Sequence, residues 1–264
     1  MENDDQQVGQ ILTRREALVV FGAAGAALLA ACTPDLPGAQ QATSLPAAGT
    51  TVAVADPATA TTLSQGATAA LPACVVRPEM AAGPFFVDEK LNRSDIRPDP
   101  ASGTVSAGIP LELTFVVAQV GAAGCTPLAG AAVDVWHCDA AGVYSDVQNA
   151  VGQQFLRGYQ VTDETGLARF KTIYPGWYPG RAVHIHFKIR LAADSGAYDF
   201  TSQLFFDDAI SDAVHALVPY SAKGPRDRRN ADEGIFNQSG DQLLLALTTI
   251  EEGYAADFEI GLQI

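Results

Sequence analysis

Two of the four histidines in this chain, His184 and His186, stand one residue apart in the stretch GWYPGRAVHIHFKI, residues 176–189. Val183, Ile185, Phe187 and Ile189 alternate with them. A strand sends successive side chains to opposite faces. The four apolar residues then form one face suited to a core, and the two imidazoles share the other and can converge on one point. Imidazole nitrogen is a frequent metal ligand, so this pair is suited to holding a metal. On its own, the pair also describes two half-exposed polar residues on the outside of a sheet.

Polar neighbours bear on that choice. Tyr178 lies six residues before His184, beyond a turn with Pro175, Gly176, Pro179 and Gly180, and Arg181 lies three before it. Tyr144 sits in DAAGVYSDV and Gln203 in TSQLFF. Taken singly, each has an ordinary reading as core edge, surface charge or solvated strand residue. Asp139 and Asp146 read as turn residues. His137 and His215 read as packing or surface histidines, and Tyr159, Tyr174, Tyr198, Tyr220 and Tyr254 as core-edge residues. KGPRDRRNADEG, residues 223–234, reads by default as a charged, solvated loop, the alternative being that it overhangs the site.

Together RSDIRPD, GAAVDVWHCDAAGVYSD, FLRGYQVTDETG, FKTIYPGWYPGRAVHIHFK and TSQLFF resemble the intradiol ring-cleavage dioxygenases, over roughly residues 74–240. The resemblance implies a β-sandwich carrying one non-haem Fe(3+) per subunit, with Tyr144, Tyr178, His184 and His186 as ligands. It implies cleavage of a catechol-type aromatic diol by O2 to a cis,cis-muconate-type diacid. Within that chemistry Tyr178 also serves as a base, Arg181 stabilises negative charge on the bound ring, and Gln203 polarises the substrate. GPFF, residues 83–86, matches a segment that can line the family's pocket, and reads equally as a Phe pair in the core. Two departures stand out. The link from Tyr178 to His184 is short, and the helical N-terminal region through which catechol-cleaving members dimerise has no counterpart. Oligomeric state and the identity of the diol are left open.

The implied ligand set makes chemical sense. A free tyrosine ionises at a pKa of about 10, but a bound cation dominates its surroundings and favours the phenolate. Two phenolates suit a trivalent iron, whereas ferrous oxygenases use two histidines and a carboxylate. A zinc or copper site is a weaker reading, because tyrosine is an unusual zinc ligand.

Such a site needs strands to hold it. LELTFVVAQV, GAAVDVWHCDA, GLARFKTIYPG, AVHIHFKIRL, DFTSQLFFDD and EEGYAADFEIGLQI alternate or run apolar between Gly/Pro/Asp turns. This spacing predicts an all-β domain, an antiparallel β-sandwich with long loops, over residues 74–264. Helix is expected only in short pieces such as residues 208–217.

The N-terminus reads differently. Arg14 and Arg15 precede an apolar run, residues 17–31, that ends at Cys32 and is too short to cross a bilayer comfortably. The pattern predicts a twin-arginine export signal over residues 1–31 with a lipobox, leaving a lipid anchor at Cys32 as the only membrane attachment. A short uncleaved anchor is the alternative. Residues 32–73 are rich in Ala, Thr and Pro and predict a flexible linker. The protein is then exported, as a cell-surface or membrane-anchored lipoprotein or a secreted protein. A formal net charge of −14 argues against nucleic acid as a partner. Cys74, Cys125 and Cys138 permit one disulfide by any of three pairings, with the remaining thiol buried. Beside the enzyme reading stands a second one, a non-catalytic, membrane-tethered β-sandwich that binds a partner or glycan.

Overall fold

The computed structural model describes residues 75–191 and 198–264. The expected signal sequence (1–31), the linker (32–73) and Cys32 lie outside the described residues.

Among the described residues, nine strands carry the fold. β1 (Pro110–Gly121), β2 (Gly124–Pro127), β5 (Leu167–Ile173), β8 (Thr248–Ile250) and β9 (Gly253–Leu262) form one sheet, in the order β2-β1-β9-β8 with β5 also on β1. β3 (Ala132–Trp136), β4 (Arg157–Val161), β6 (His184–Arg190) and β7 (Asp199–Phe205) form the other, in the order β4-β3-β6-β7. The helix α1 (Asp208–His215) follows β7, and its first turn is capped by the Asp207 carboxylate, which accepts from Ala209 N and Ile210 N. The two sheets pack through the apolar faces that the alternation predicts. Leu111, Leu113, Phe115 and Val117 of β1 are buried, as are Ile185, Phe187 and Ile189 of β6. Phe115 meets Phe187 across the interface at 5.2 Å between ring centres, and both meet Phe258 of β9 at 5.8 and 5.4 Å.

The sandwich is as expected, with one correction to the pairing. β1 and β9 run parallel over nine register pairs, Leu111–Tyr254 to Gln119–Leu262, while the other pairs are antiparallel. A tight turn forces antiparallel pairing, but β1 and β9 stand at opposite ends of the domain sequence, so no turn sets their direction.

A second correction concerns the outer face of the β4-β3-β6-β7 sheet. His184 and His186 lie on it, yet they are 2% and 0% exposed. A strap from the start of the domain covers them. Met80 N donates to Thr201 O on edge strand β7, while Arg93 N donates to Tyr159 O on edge strand β4. Residues 80–93 therefore cross the sheet from one edge to the other. Phe86 of the strap packs on Trp136 at 4.8 Å, and Phe85 packs on Tyr144 at 4.6 Å.

Cys125 is disulfide-bonded, and Cys138 is free and buried. The leftover thiol is thus Cys138. Among the described residues no helix is long and apolar enough to cross a membrane.

Candidate metal centre

Strand register assembles the floor of the site. Arg157 on β4 pairs with Trp136 on β3, Trp136 with His186 on β6, and His186 with Gln203 on β7. These four residues make one row across the sheet. The Trp136 indole stacks on the His186 ring at 5.0 Å with only 4° between planes, which fixes the imidazole orientation. His184, two residues along, shares the face of His186.

Two loops bring in the phenols. Tyr144 follows β3 in a turn held by Asp139, whose Oδ1 accepts from Ala141 N and Val143 N at 2.9 and 2.8 Å. Asp146 likewise holds a turn, accepting from Gly152 N. Tyr178 follows β5. The two loops touch closely: a Cβ on Gly142 would lie 2.1 Å from Trp177 O, and one on Gly176 would lie 2.4 Å from Asp139 O. Gly142 also has φ +81°, a region that favours glycine. The Lys223 ammonium joins the loops by donating to Ala141 O and Trp177 O at 2.5 and 2.6 Å.

Four side-chain donors meet as a result. His184 Nε2 lies 3.0 Å from His186 Nε2, 3.2 Å from the Tyr178 hydroxyl and 3.5 Å from the Tyr144 hydroxyl. His184 Nδ1 is 2.7 Å from Ala182 O. A carbonyl only accepts, so Nδ1 carries the proton and Nε2 presents a lone pair to the cluster. A single lone pair cannot satisfy a second imidazole, two phenols and the Arg181 guanidinium at 3.3 Å. A cation at the centre can take the lone pairs of both imidazoles and both phenols at once. Donors bonded to one first-row metal at about 2.0–2.2 Å lie roughly 3 Å from one another, which matches these separations. Among the described residues no group of three His, Cys, Asp or Glu is placed to hold a metal, so the donor set is complete only with the phenols.

Electrostatics point the same way. Burial drives His184 down to about 3 and His186 well below the usual histidine range, with Arg181 adding to both. Both imidazoles are therefore neutral at physiological pH, the form that ligates metals. Burial raises Tyr144 well above its ordinary value and raises Tyr178 also, with Arg181 opposing in each case. Without a cation both phenols keep their protons. A trivalent ion supplies the charge needed to ionise them.

Arg181 and Gln203 lie beside the cluster. Arg181 Nη1 donates to the Tyr178 hydroxyl at 3.2 Å, Nη2 donates to Gln203 Oε1, and Nε donates to Glu233. Gln203 Nε2 donates to Ala81 O at 2.7 Å and so ties the strap to the site. GPFF lines the site: Gly83 lies over His186, where a Cβ would be 3.3 Å from Cε1, and Phe85 packs on both tyrosines. His137 and His215 bond elsewhere, to Thr172 Oγ1 and Pro175 O. Tyr174 and Tyr220 bond to Ser211 and to the Tyr174 carbonyl.

The sequence reading missed Glu233, which lies in the stretch taken as solvated but is 3% exposed. It missed Trp136 and Lys223 too. Only the fold brings these three to the site, and no local pattern marks them.

Comparison with known proteins gives a consistent set of relatives. A family profile described as "Dioxygenase" matches residues 82–223. Catechol 1,2-dioxygenase of Candida albicans is 35% identical over 202 residues, 66% of this chain and 64% of that protein. The beta chain of protocatechuate 3,4-dioxygenase of Burkholderia cepacia is 31% identical over 62% of this chain and 69% of that protein. With chlorocatechol 1,2-dioxygenase of Pseudomonas putida, at 30% identity, the match covers 35% of this chain and 42% of the relative. The chain thus spans less than two thirds of the length of two of these three curated relatives. Among solved structures, the intradiol ring-cleavage dioxygenase of Tetranychus urticae superposes with a TM-score of 0.63 at 30% identity, covering 72% of this chain and 95% of that one.

Proposed function

Because the chain belongs to the intradiol ring-cleavage dioxygenase family, we propose that it opens the ring of a catechol-type diol with O2 at one non-haem Fe(3+), giving a cis,cis-muconate-type diacid. Tyr144, Tyr178, His184 and His186 would hold the ion. The observation that carries this reading is the convergence of two neutral imidazoles and two phenols on one point. When bound, the ion supplies Lewis acidity and a template for the diol and water.

The chain's own residues divide the remaining work. Tyr144 is 5% exposed and enclosed by Phe85, so it would serve as a fixed ligand. Tyr178 is half-buried and hydrogen-bonded to Arg181. Once ionised, it would be placed to take a proton from an incoming diol hydroxyl onto its phenolate oxygen. A permanently charged, planar guanidinium suits Arg181 to negative charge developing on the ring. Gln203, fully buried and fixed by Ala81 O, orients that guanidinium and presents an amide dipole to the substrate. The strap with Phe85 and Phe86 excludes water from the histidine side.

An oxygen electrode tests this reading: the iron-loaded protein is expected to take up one O2 per diol cleaved, with a muconate-type absorbance appearing in step. A loaded protein that consumes no oxygen with catechol, protocatechuate, hydroxyquinol or chlorocatechol contradicts it. We further propose export by the twin-arginine signal and lipid attachment at Cys32. Replacing Cys32 by Ser is expected to move the protein from a detergent fraction to a soluble one.

A further inference from the structure

The match to the family profile ends at residue 223, but the chain beyond it does not leave the site. Gly224 O accepts from Trp177 Nε1 at 3.2 Å. Asp227 Oδ2 accepts from Gly180 N at 3.0 Å. Glu233 Oε1 accepts from Arg181 Nε. Three points of residues 224–233 therefore hold residues 177–181, the start of the short link between Tyr178 and His184. The holding segment is itself anchored. Asn230 Nδ2 donates to Phe206 O at 2.8 Å, just past β7, and Asn230 N donates to Asp208 Oδ2 at 3.1 Å, at the start of α1. The second oxygen of Glu233 accepts from Phe236 N at 3.1 Å.

We infer that Glu233 is a positioning residue. With Gln203 it clamps the Arg181 guanidinium so that Nη1 faces Tyr178 and the reacting side of the site, and residues 224–236 act as the brace that makes this possible. The inference rests on the proposed dioxygenase activity for its catalytic consequence, but not for the clamp itself. A free arginine side chain samples many rotamers. Acceptors fixed on both flanks of the guanidinium remove that freedom before substrate arrives, and a charged acceptor holds it more firmly than a neutral one.

The test combines two measurements on the wild type, Glu233→Gln, Glu233→Asp, Arg181→Ala and the double variant Arg181→Ala/Glu233→Gln. The first is urea unfolding of the metal-free chain, which needs no activity. A coupling between the two positions of about tenfold or more in the unfolding equilibrium constant is expected. Additive effects would overturn the clamp. The second is iron content, visible spectrum and kcat with KM on the loaded protein. Glu233→Gln is expected to keep its iron and colour, to lose about tenfold or more in kcat with a smaller change in KM, and to add nothing to the loss in Arg181→Ala. Glu233→Asp keeps the charge but withdraws the carboxylate by one methylene. It is expected to recover stability without recovering kcat, and it carries the test if Glu233→Gln does not fold. Wild-type kcat in Glu233→Asp would reduce Glu233 to charge neutralisation and overturn the positioning role. An inactive wild type with intact coupling would sink the activity reading and leave the clamp standing.

Discussion

Tyr144 and Tyr178 are one residue type in two surroundings, and the surroundings separate their proposed roles. Tyr144 is sealed under Phe85, while Tyr178 faces Arg181 and is half-buried. If these side chains hold the ion as proposed, Tyr144→Phe and His186→Ala are expected to lose iron and colour, read by metal analysis and visible absorption. Arg181→Ala is expected to keep both and to lose roughly 100-fold or more in kcat, the size of effect seen when one donor to developing negative charge is removed. Full activity in that variant would refute the charge-stabilising role. The six proposed site residues were legible because they sit in short, ordered motifs. Glu233 was not, because its partner Arg181 is 52 residues away in a different loop. A charged loop reads as solvated until the fold gives one of its carboxylates a buried cation.

At the scale of elements, the alternation in β1 and β6 revealed their buried faces, and the sandwich followed from it. Phe187 sits where both sheets meet. Phe187→Ala is expected to cost about 3–5 kcal/mol and to lower the denaturant midpoint accordingly; an unchanged midpoint would contradict the packing described. The loop contact at Gly142 is a sharper case. Gly142→Ala places a methyl against Trp177 O and demands a left-handed backbone of alanine, so it is expected to part the two tyrosine loops and weaken iron binding, measured by titration. Two features escaped the sequence for a common physical reason. The parallel β1–β9 pairing and the burial of the histidine face both depend on segments far apart along the chain. Periodicity shows that a strand has two faces but not what covers the second one.

At the scale of the molecule, burial sets an acid limit on the metal-free protein. His137 is lowered to about 4, His184 to about 3, and His186 well below its ordinary value. Each unfolded histidine takes a proton near 6.5 while the folded one does not. The unfolded state thus binds more protons below that pH, and stability falls as pH falls, by up to about 1.4 kcal/mol per unit for each histidine. Burial lowers His215 also, while Asp134, raised to about 6 by burial, and Glu89, raised by burial too, oppose the trend, two carboxyls against four histidines. Urea midpoints of the metal-free chain at pH 7 and pH 5 check the sign: the lower pH is expected to give the lower midpoint, and an equal or higher one would contradict it. Ferric titration of the metal-free protein, followed in the visible range, tests the proposed centre most directly. A phenolate-to-iron absorption band is expected that saturates at one iron per chain and disappears in Tyr144→Phe. A protein that takes up no stoichiometric iron, or whose band survives unchanged in both Tyr144→Phe and Tyr178→Phe, would contradict it.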